Sequence, residues 1–255
     1  HERGMEVFGY FCAGANTKWG LDHPDLSYGT PSAPHIPFTR AYLTYLGNSI
    51  TDAVKKSGMD GFMVDWIWNP GATMEPYPPL KWLDCEKEMY EELMGEAFPG
   101  IEQLDAAHIQ TFRRRSVERC WNTIYTAAKK GNPKCKIWVT CCQVTSQDLV
   151  GSSMFKQADI FMNEAGSIED VEKIRPLVGP STRLMTCLAL WNNQDPSQIV
   201  PQALEKNIGL YGFTKPQIGS LLPPVSHYLS KPLESFTGDD KNIAYLARVY
   251  NGIKI

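Results

Sequence analysis

The sequence predicts an α/β protein of the (β/α)8 TIM-barrel type, and three observations carry that prediction. Short apolar runs rich in β-formers alternate with segments of helical periodicity, the pattern of parallel strands joined by crossover helices. Polar and aromatic residues close nearly every strand: Asn16 with Trp19, Asp65 with Trp66 and Trp68, Gln143, Glu164, Trp191 with Asn192, and Lys215. No GxGxxG or GxxxxGKS/T stretch follows any of them, which removes the main nucleotide-binding signal of the competing doubly wound sheet. A barrel gathers its chemistry at the carboxyl ends of its strands, and a mouth lined in this way fits that plan.

Met5 to Cys12 is rich in β-formers (Val7, Phe8, Tyr10, Phe11) and ends in the small-residue turn Ala13-Gly14-Ala15-Asn16. A long loop follows from Thr17 to Pro37, holding Trp19, His23, Tyr28 and His35; loops of that length in compact domains are usually functional. Thr39 to Lys56 carries Tyr42, Leu43, Leu46, Ile50 and Val54 close to helical spacing before Gly58. The strand Phe62 to Trp66 comes next, introduced by Gly58-Met59-Asp60-Gly61 and closed by Asn69-Pro70. An excursion from Asn69 to Ala107 is rich in acids and predicts short helices. Ile109 to Lys130 reads as a long helix, with Phe112, Val117, Cys120, Trp121, Ile124 and Ala128 on its apolar face and Gly131-Asn132-Pro133 as its stop.

The units then shorten. Strands are expected at Lys136 to Cys142, Ala158 to Met162, Thr182 to Leu190 and Gly209 to Thr214. Helices are expected at Ser146 to Lys156, Ser167 to Leu177, Pro196 to Lys206 and Asp240 to Tyr250. Glu169, Asp170 and Glu172 near the start of the Ser167 helix suit the positive end of its dipole. These are six strands where a barrel has eight. His1-Glu2-Arg3-Gly4-Met5 has no initiator methionine and reads as the last turn of a helix. The expectation is one barrel domain over residues 1–255, N-terminally incomplete, with its first two strands upstream.

A net charge of −3 gives no electrostatic case for nucleic acid or an anionic membrane, and no apolar run approaches a membrane-spanning length. Arg113-Arg114-Arg115 is a local run on a helix face. The seven cysteines form no CxxC pair, and several sit in apolar runs, so buried reduced thiols are expected rather than a disulfide framework. No signal-peptide pattern opens the chain, but with no initiator methionine, residues are expected before His1, so the compartment stays open, and the sequence does not give the oligomeric state.

The candidate chemistries separate by residue type. The five histidines form no HxH or HExxH, so metal catalysis has no support in the spacing. No GxSxG is present for a serine nucleophile. Cys141 and Cys142 end a strand, but no partner base accompanies them, and structural thiols explain them better. What remains is a pair of strand-end carboxylates, Asp65 and Glu164, in a mouth with tryptophans. Glycoside hydrolysis needs two carboxyl groups across the scissile bond, and indole faces stack on sugar C–H surfaces. The plainer alternatives are an arginine pair or helix cap for Asp65, and an N-cap or ion-pair role for Glu164. Trp66 and Trp68, two apart on a strand end, should face one side. At least two of Trp19, Trp66, Trp68 and Trp191 should line one cavity.

Phe8-Gly9-Tyr10-Phe11-Cys12-Ala13-Gly14, Trp19, Tyr42-Leu43-Thr44-Tyr45-Leu46 and Gly58 through Asp65 together resemble one segment of the α-L-fucosidase family, over roughly residues 5–70. Those enzymes are retaining glycoside hydrolases on a (β/α)8-like barrel. Their strands carry a Tyr-Tyr-Ser, a nearby Trp and a later Trp-Phe-Asp-Gly whose aspartate is the nucleophile. By position that role falls on Asp65. Two departures stand out: Trp66 follows the aspartate where the family has Gly, and the histidine-rich motif of an earlier family strand is missing. The resemblance implies a carbohydrate substrate and no cofactor. Glu164 as acid/base comes from strand placement alone, with Glu75, Asp84 and Glu86 as rivals. Substrate contacts are expected from Asn16, Trp19, His23, Trp66, Trp68, Asn69, Trp191 and Lys215. The competing readings are a non-catalytic carbohydrate-binding barrel and a barrel enzyme of unrelated chemistry.

Overall fold

The computed structural model describes residues 1–2, 4–29, 35–68, 70, 78–164, 167–189, 195–212 and 223–253. The strands are β1 (Phe8–Cys12), β2 (Gly61–Asp65), β3 (Lys136–Cys141), β4 (Ile160–Asn163), β5 (Arg183–Leu188) and β6 (Gly209–Gly212). They alternate with helices, and strand order in the sheet follows chain order from β1 to β6. β1 pairs parallel with β2, β2 with β3, and β5 with β6; the register sets Cys12 beside Asp65 and Val64 beside Val139. The α/β class and the six strands match the sequence. An eight-stranded closure is not seen among the described residues.

The chain divides into two compact units, residues 1–161 with 177–182, and residues 162–176 with 183–255. In the first, β2 and β3 are short and largely buried, as parallel strands under helices are: Phe62, Val64, Ile137 and Val139 are fully enclosed, whereas β1 is only half-buried and exposes Tyr10. Over them lie α1 (Thr17–Asp22), α2 (Arg40–Ser57), α3 (Asp84–Met94), α4 (Ala106–Gly131) and the single turn α5 (Met154–Gln157). The start of α2 is set by Thr39, whose hydroxyl accepts the Tyr42 N–H, and its end by Gly58 in the left-handed region at φ 69°. Asp105 caps α4 by accepting the His108 N–H. The two helices meet closely at Gly47, where an added Cβ would lie 3.2 Å from Thr123, and the Thr51 hydroxyl donates to the Ala127 carbonyl.

The second unit holds α6 (Ile168–Ile174), α7 (Pro196–Glu205), α8 (Val225–Leu229) and α9 (Gly238–Tyr250). Leu188, Val200, Tyr245 and Leu246 form one apolar cluster there, and Tyr228, Phe236 and Ala244 another. No helix among the described residues is long and apolar enough to cross a membrane.

Four expectations shift. β1 begins at Phe8, not Met5, and β2 ends at Asp65, because Trp66 turns to φ 55° and cannot continue a strand. The helix expected over Ser146 to Lys156 shrinks to α5. Glu118 on α4 takes the Ser152 hydroxyl and the Ser153 N–H, so the preceding chain is held in turns by a side chain from another element. The stretch from Thr17 to Pro37, expected as an irregular loop, contains α1 and a 3-10 turn at Pro24–Leu26.

Candidate active site

β2 delivers Asp65 at its carboxyl end, half-buried, and the backbone turns sharply straight after it. That turn is packed against β1's own exit. Gly14 lies so close that an added Cβ would meet the carbonyl oxygens of Trp66 and Trp68, the second at 2.5 Å, and the Ala13 N–H donates to the Asp65 carbonyl at 2.8 Å. Gly14→Ala should therefore destabilise the fold by about 1–3 kcal/mol through backbone displacement. Urea unfolding checks this, and a change below about 0.5 kcal/mol would show that the approach is not tight.

The Asp65 carboxylate accepts two hydrogen bonds, from the Tyr10 hydroxyl to Oδ2 and from the Trp66 N–H to Oδ1, each 2.7 Å. Burial pushes its pKa above the ordinary carboxylate value, and those two bonds oppose the shift. No cation among the described residues pairs with it, so the arginine-locked alternative does not describe this side chain. Its neighbour Cys12 is pushed up to about 12 by burial and by the Asp65 charge, so this thiol stays protonated. Tyr10 was not singled out from the sequence. It reaches Asp65 only through the parallel register, which sets Cys12, two residues on, beside Asp65 and which no local sequence feature announces.

The expected substrate contacts divide. Asn16 is the N-cap of α1, its Oδ1 accepting the Trp19 N–H at 2.9 Å. Trp19 is a packing residue: only 8% exposed, it stacks on His23 at 3.7 Å and leans on Tyr45 and Tyr42 at 5.0 and 5.4 Å. His23 spends one face on that stack, and its Nδ1 lies 3.1 Å from the Trp19 carbonyl. Trp68 is 1% exposed, its indole enclosed in the core. The expectation that Trp66 and Trp68 share a face assumed that the strand continued. The left-handed turn at Trp66 ends the period-two alternation and sends Trp68 inward. Trp66 stays half-buried, its ring 5.4 Å from that of His35. Asn69, Trp191 and Lys215 lie outside the described residues, as does Glu75.

Glu164 follows β4 and is half-buried. The N-cap of α6 is Ser167, which exchanges bonds with Asp170, so Glu164 does not serve as that cap. Of the rival acids, Asp84 is exposed and paired with Lys87 at 2.8 Å, which holds its carboxyl below the ordinary value. Glu86 is fully enclosed; burial raises its pKa to about 7, against hydrogen bonds from the Tyr28 hydroxyl and the Leu83 N–H. The 710 Å³ groove between α2 and α4, lined by Thr44, Asn48, Arg115, Asn122 and Lys130 among others, shares no residue with these strand ends.

This arrangement of strands and helices occurs in solved structures. An α-L-fucosidase isoenzyme 2 from Paenibacillus thiaminolyticus superposes with a TM-score of 0.58 at 15% identity, over 99% of this chain and 38% of that one. The PgaB (BpsB) glycoside hydrolase domain from Bordetella bronchiseptica gives 0.53 at 12% identity, over 82% and 70%. An α-galactosidase from Lactobacillus brevis gives 0.50 at 10% identity, over 98% and 31%. The shared feature is the fold. The resemblance to α-L-fucosidases over residues 5–70 is thus matched by structural neighbours that are glycoside hydrolases, at low identity. This chain spans well under half the length of the fucosidase. The sequence itself matches no protein-family model and no curated protein.

Proposed function

We propose that this chain belongs to a glycoside hydrolase with a retaining, two-carboxylate mechanism, built on a (β/α)8-type barrel and acting on α-L-fucosides or closely related sugars. The observation that carries the reading is Asp65: a strand-end carboxylate without a cationic partner among the described residues, oriented by Tyr10 and by the Trp66 N–H. Each Asp65 oxygen accepts one hydrogen bond and keeps a second lone pair. In the proposed mechanism one of them attacks the anomeric carbon while a general acid protonates the departing oxygen, and that group then takes a proton from the water that releases the sugar from Asp65. Strand-end position in the sequence nominates Glu164 for this role. The Tyr10 bond favours the ionised nucleophile against its burial. Trp66, half-buried beside Asp65, is the indole proposed to contact the sugar, and no cofactor is implied.

The test is turnover on a panel of aryl glycosides, with the anomer of the first-formed product read by NMR. Retention supports the mechanism; inversion, or no turnover of any glycoside by the full-length protein, overturns it. A second test isolates the acid. Glu164→Gln should lower kcat/KM for substrates with poor leaving groups by about 10²-fold or more while sparing kcat/KM for glycosyl fluorides and dinitrophenyl glycosides, whose departure needs no proton. Equal losses on both substrate types would remove Glu164 from that role.

A further inference from the structure

Tyr28 and His35 pair as a short antiparallel bridge, the Tyr28 N–H donating to the His35 carbonyl at 2.9 Å. His35 bridges Ala15 as well, and the Ile36 N–H donates to the Gly14 carbonyl at 3.0 Å. The bridge is therefore tied on one side to the β1 exit, where Gly14 abuts the turn after Asp65. On its other side the Tyr28 hydroxyl lies 2.7 and 2.9 Å from the two Glu86 oxygens and accepts the Lys81 N–H at 2.8 Å. Glu86 is wholly enclosed, and its Oε2 also accepts the Leu83 N–H at 2.8 Å. The His35 ring, 5% exposed, meets the half-buried Trp66 ring at 5.4 Å, 32° from parallel. A cap for α3 would need only the bond from Leu83. The added bond to Tyr28, 58 residues away, ties two distant segments together.

We propose that Glu86 is a positioning residue, which through the Tyr28 hydroxyl anchors the Tyr28–His35 bridge to the start of α3 and so holds His35 against Trp66 beside Asp65. The structural half of this stands on the contacts above; its consequence for turnover rests on the reading of Asp65 as the nucleophile. The linkage predicts a signature at Trp66 that a helix cap alone would not produce, because the path from Glu86 to Trp66 runs through Tyr28 and His35.

The test uses the full chain labelled with 5-fluorotryptophan, the Trp66 resonance being assigned by its loss in Trp66→Phe. Tyr28→Phe and Glu86→Leu should each shift that resonance and raise its H2O/D2O isotope shift, reporting wider exposure. Glu86→Gln offers an amide oxygen to both the Tyr28 hydroxyl and the Leu83 N–H, and should restore the wild-type resonance; Asp84→Asn, on the exposed side of α3, should leave it unmoved. Tyr28→Phe removes one oxygen atom and decides the matter if Glu86→Leu does not fold. A folded Tyr28→Phe with an unmoved Trp66 resonance overturns the proposal. On glycosides, kcat should fall about ten-fold in Tyr28→Phe with KM little changed, since the misplaced group is the nucleophile's neighbour. Absence of turnover in the wild type would sink the hydrolase reading and leave the Trp66 result standing. Normal kcat in Tyr28→Phe with a shifted resonance would remove the catalytic consequence alone.

Discussion

Asp65→Asn should abolish glycoside turnover, lowering kcat by at least about 10³-fold, while the protein remains folded. The two halves of this expectation come from different features of one side chain. An amide cannot form the glycosyl ester, so the first step of a retaining mechanism has no substitute. The fold, by contrast, loses little. Asn retains an acceptor oxygen for one of the two donors, Tyr10 or the Trp66 N–H, and it removes a carboxylate whose pKa burial raises. Because the raised value means that the charged form is disfavoured in the folded state, replacing it should leave the thermal midpoint at neutral pH unchanged or slightly higher. Circular dichroism melts beside kinetics on one aryl glycoside make the comparison. Asp65→Gly in the presence of azide adds a positive readout: azide entering from the vacated side would yield a glycosyl azide of inverted configuration. A fully active Asp65→Asn would rule out this nucleophile.

Much of this site is legible in the sequence, and what is not has a common cause. The helices α2 and α4 are readable because caps and apolar spacing are local: Thr39, Gly58 and the Tyr42-to-Val54 face need no distant partner. Asp65 is readable because a carboxylate at the end of a buried strand has few places to go. The aromatic neighbours are not. Whether Trp68 meets solvent or core depends on one dihedral angle, φ 55° at Trp66, a conformation uncommon enough in a bulky residue that nothing in the composition announces it. Trp19 follows a strand, as a sugar platform would, but Asn16 caps a short helix there and turns the indole onto His23, Tyr42 and Tyr45. Tyr10 needs the parallel register to bring it to Asp65. Glu86 reads in the sequence only as one acid among several, because the hydroxyl that it binds belongs to Tyr28, far away in the chain.

Glu86 should make the stability of the protein fall as pH rises from about 4.5 to about 7, and Glu86→Gln should remove that slope. In the folded protein burial raises this carboxyl to about 7 from an ordinary 4.5, so between those values the folded state keeps a proton that the unfolded state has released. A state that binds more protons is favoured at low pH, so the contribution is fully present below about pH 4.5 and is lost as pH passes about 7. Each tenfold change in proton affinity is worth about 1.4 kcal/mol, so the whole contribution comes to about 3 kcal/mol. The hydrogen bonds from Tyr28 and Leu83 and the nearby Lys81 charge all pull the other way, so burial outweighs the three together. Gln has no proton to lose and retains the acceptor, so the variant should match the wild type near pH 4.5 and exceed it by about 3 kcal/mol above pH 7.5. Urea unfolding of both proteins across that range reads the difference directly, since every other titrating group is common to the two. Parallel curves would mean that Glu86 ionises with an ordinary pKa. Tyr28→Phe sharpens the test: losing a donor that favours the charged carboxylate moves the folded pKa higher still, and the wild-type slope should then extend to higher pH.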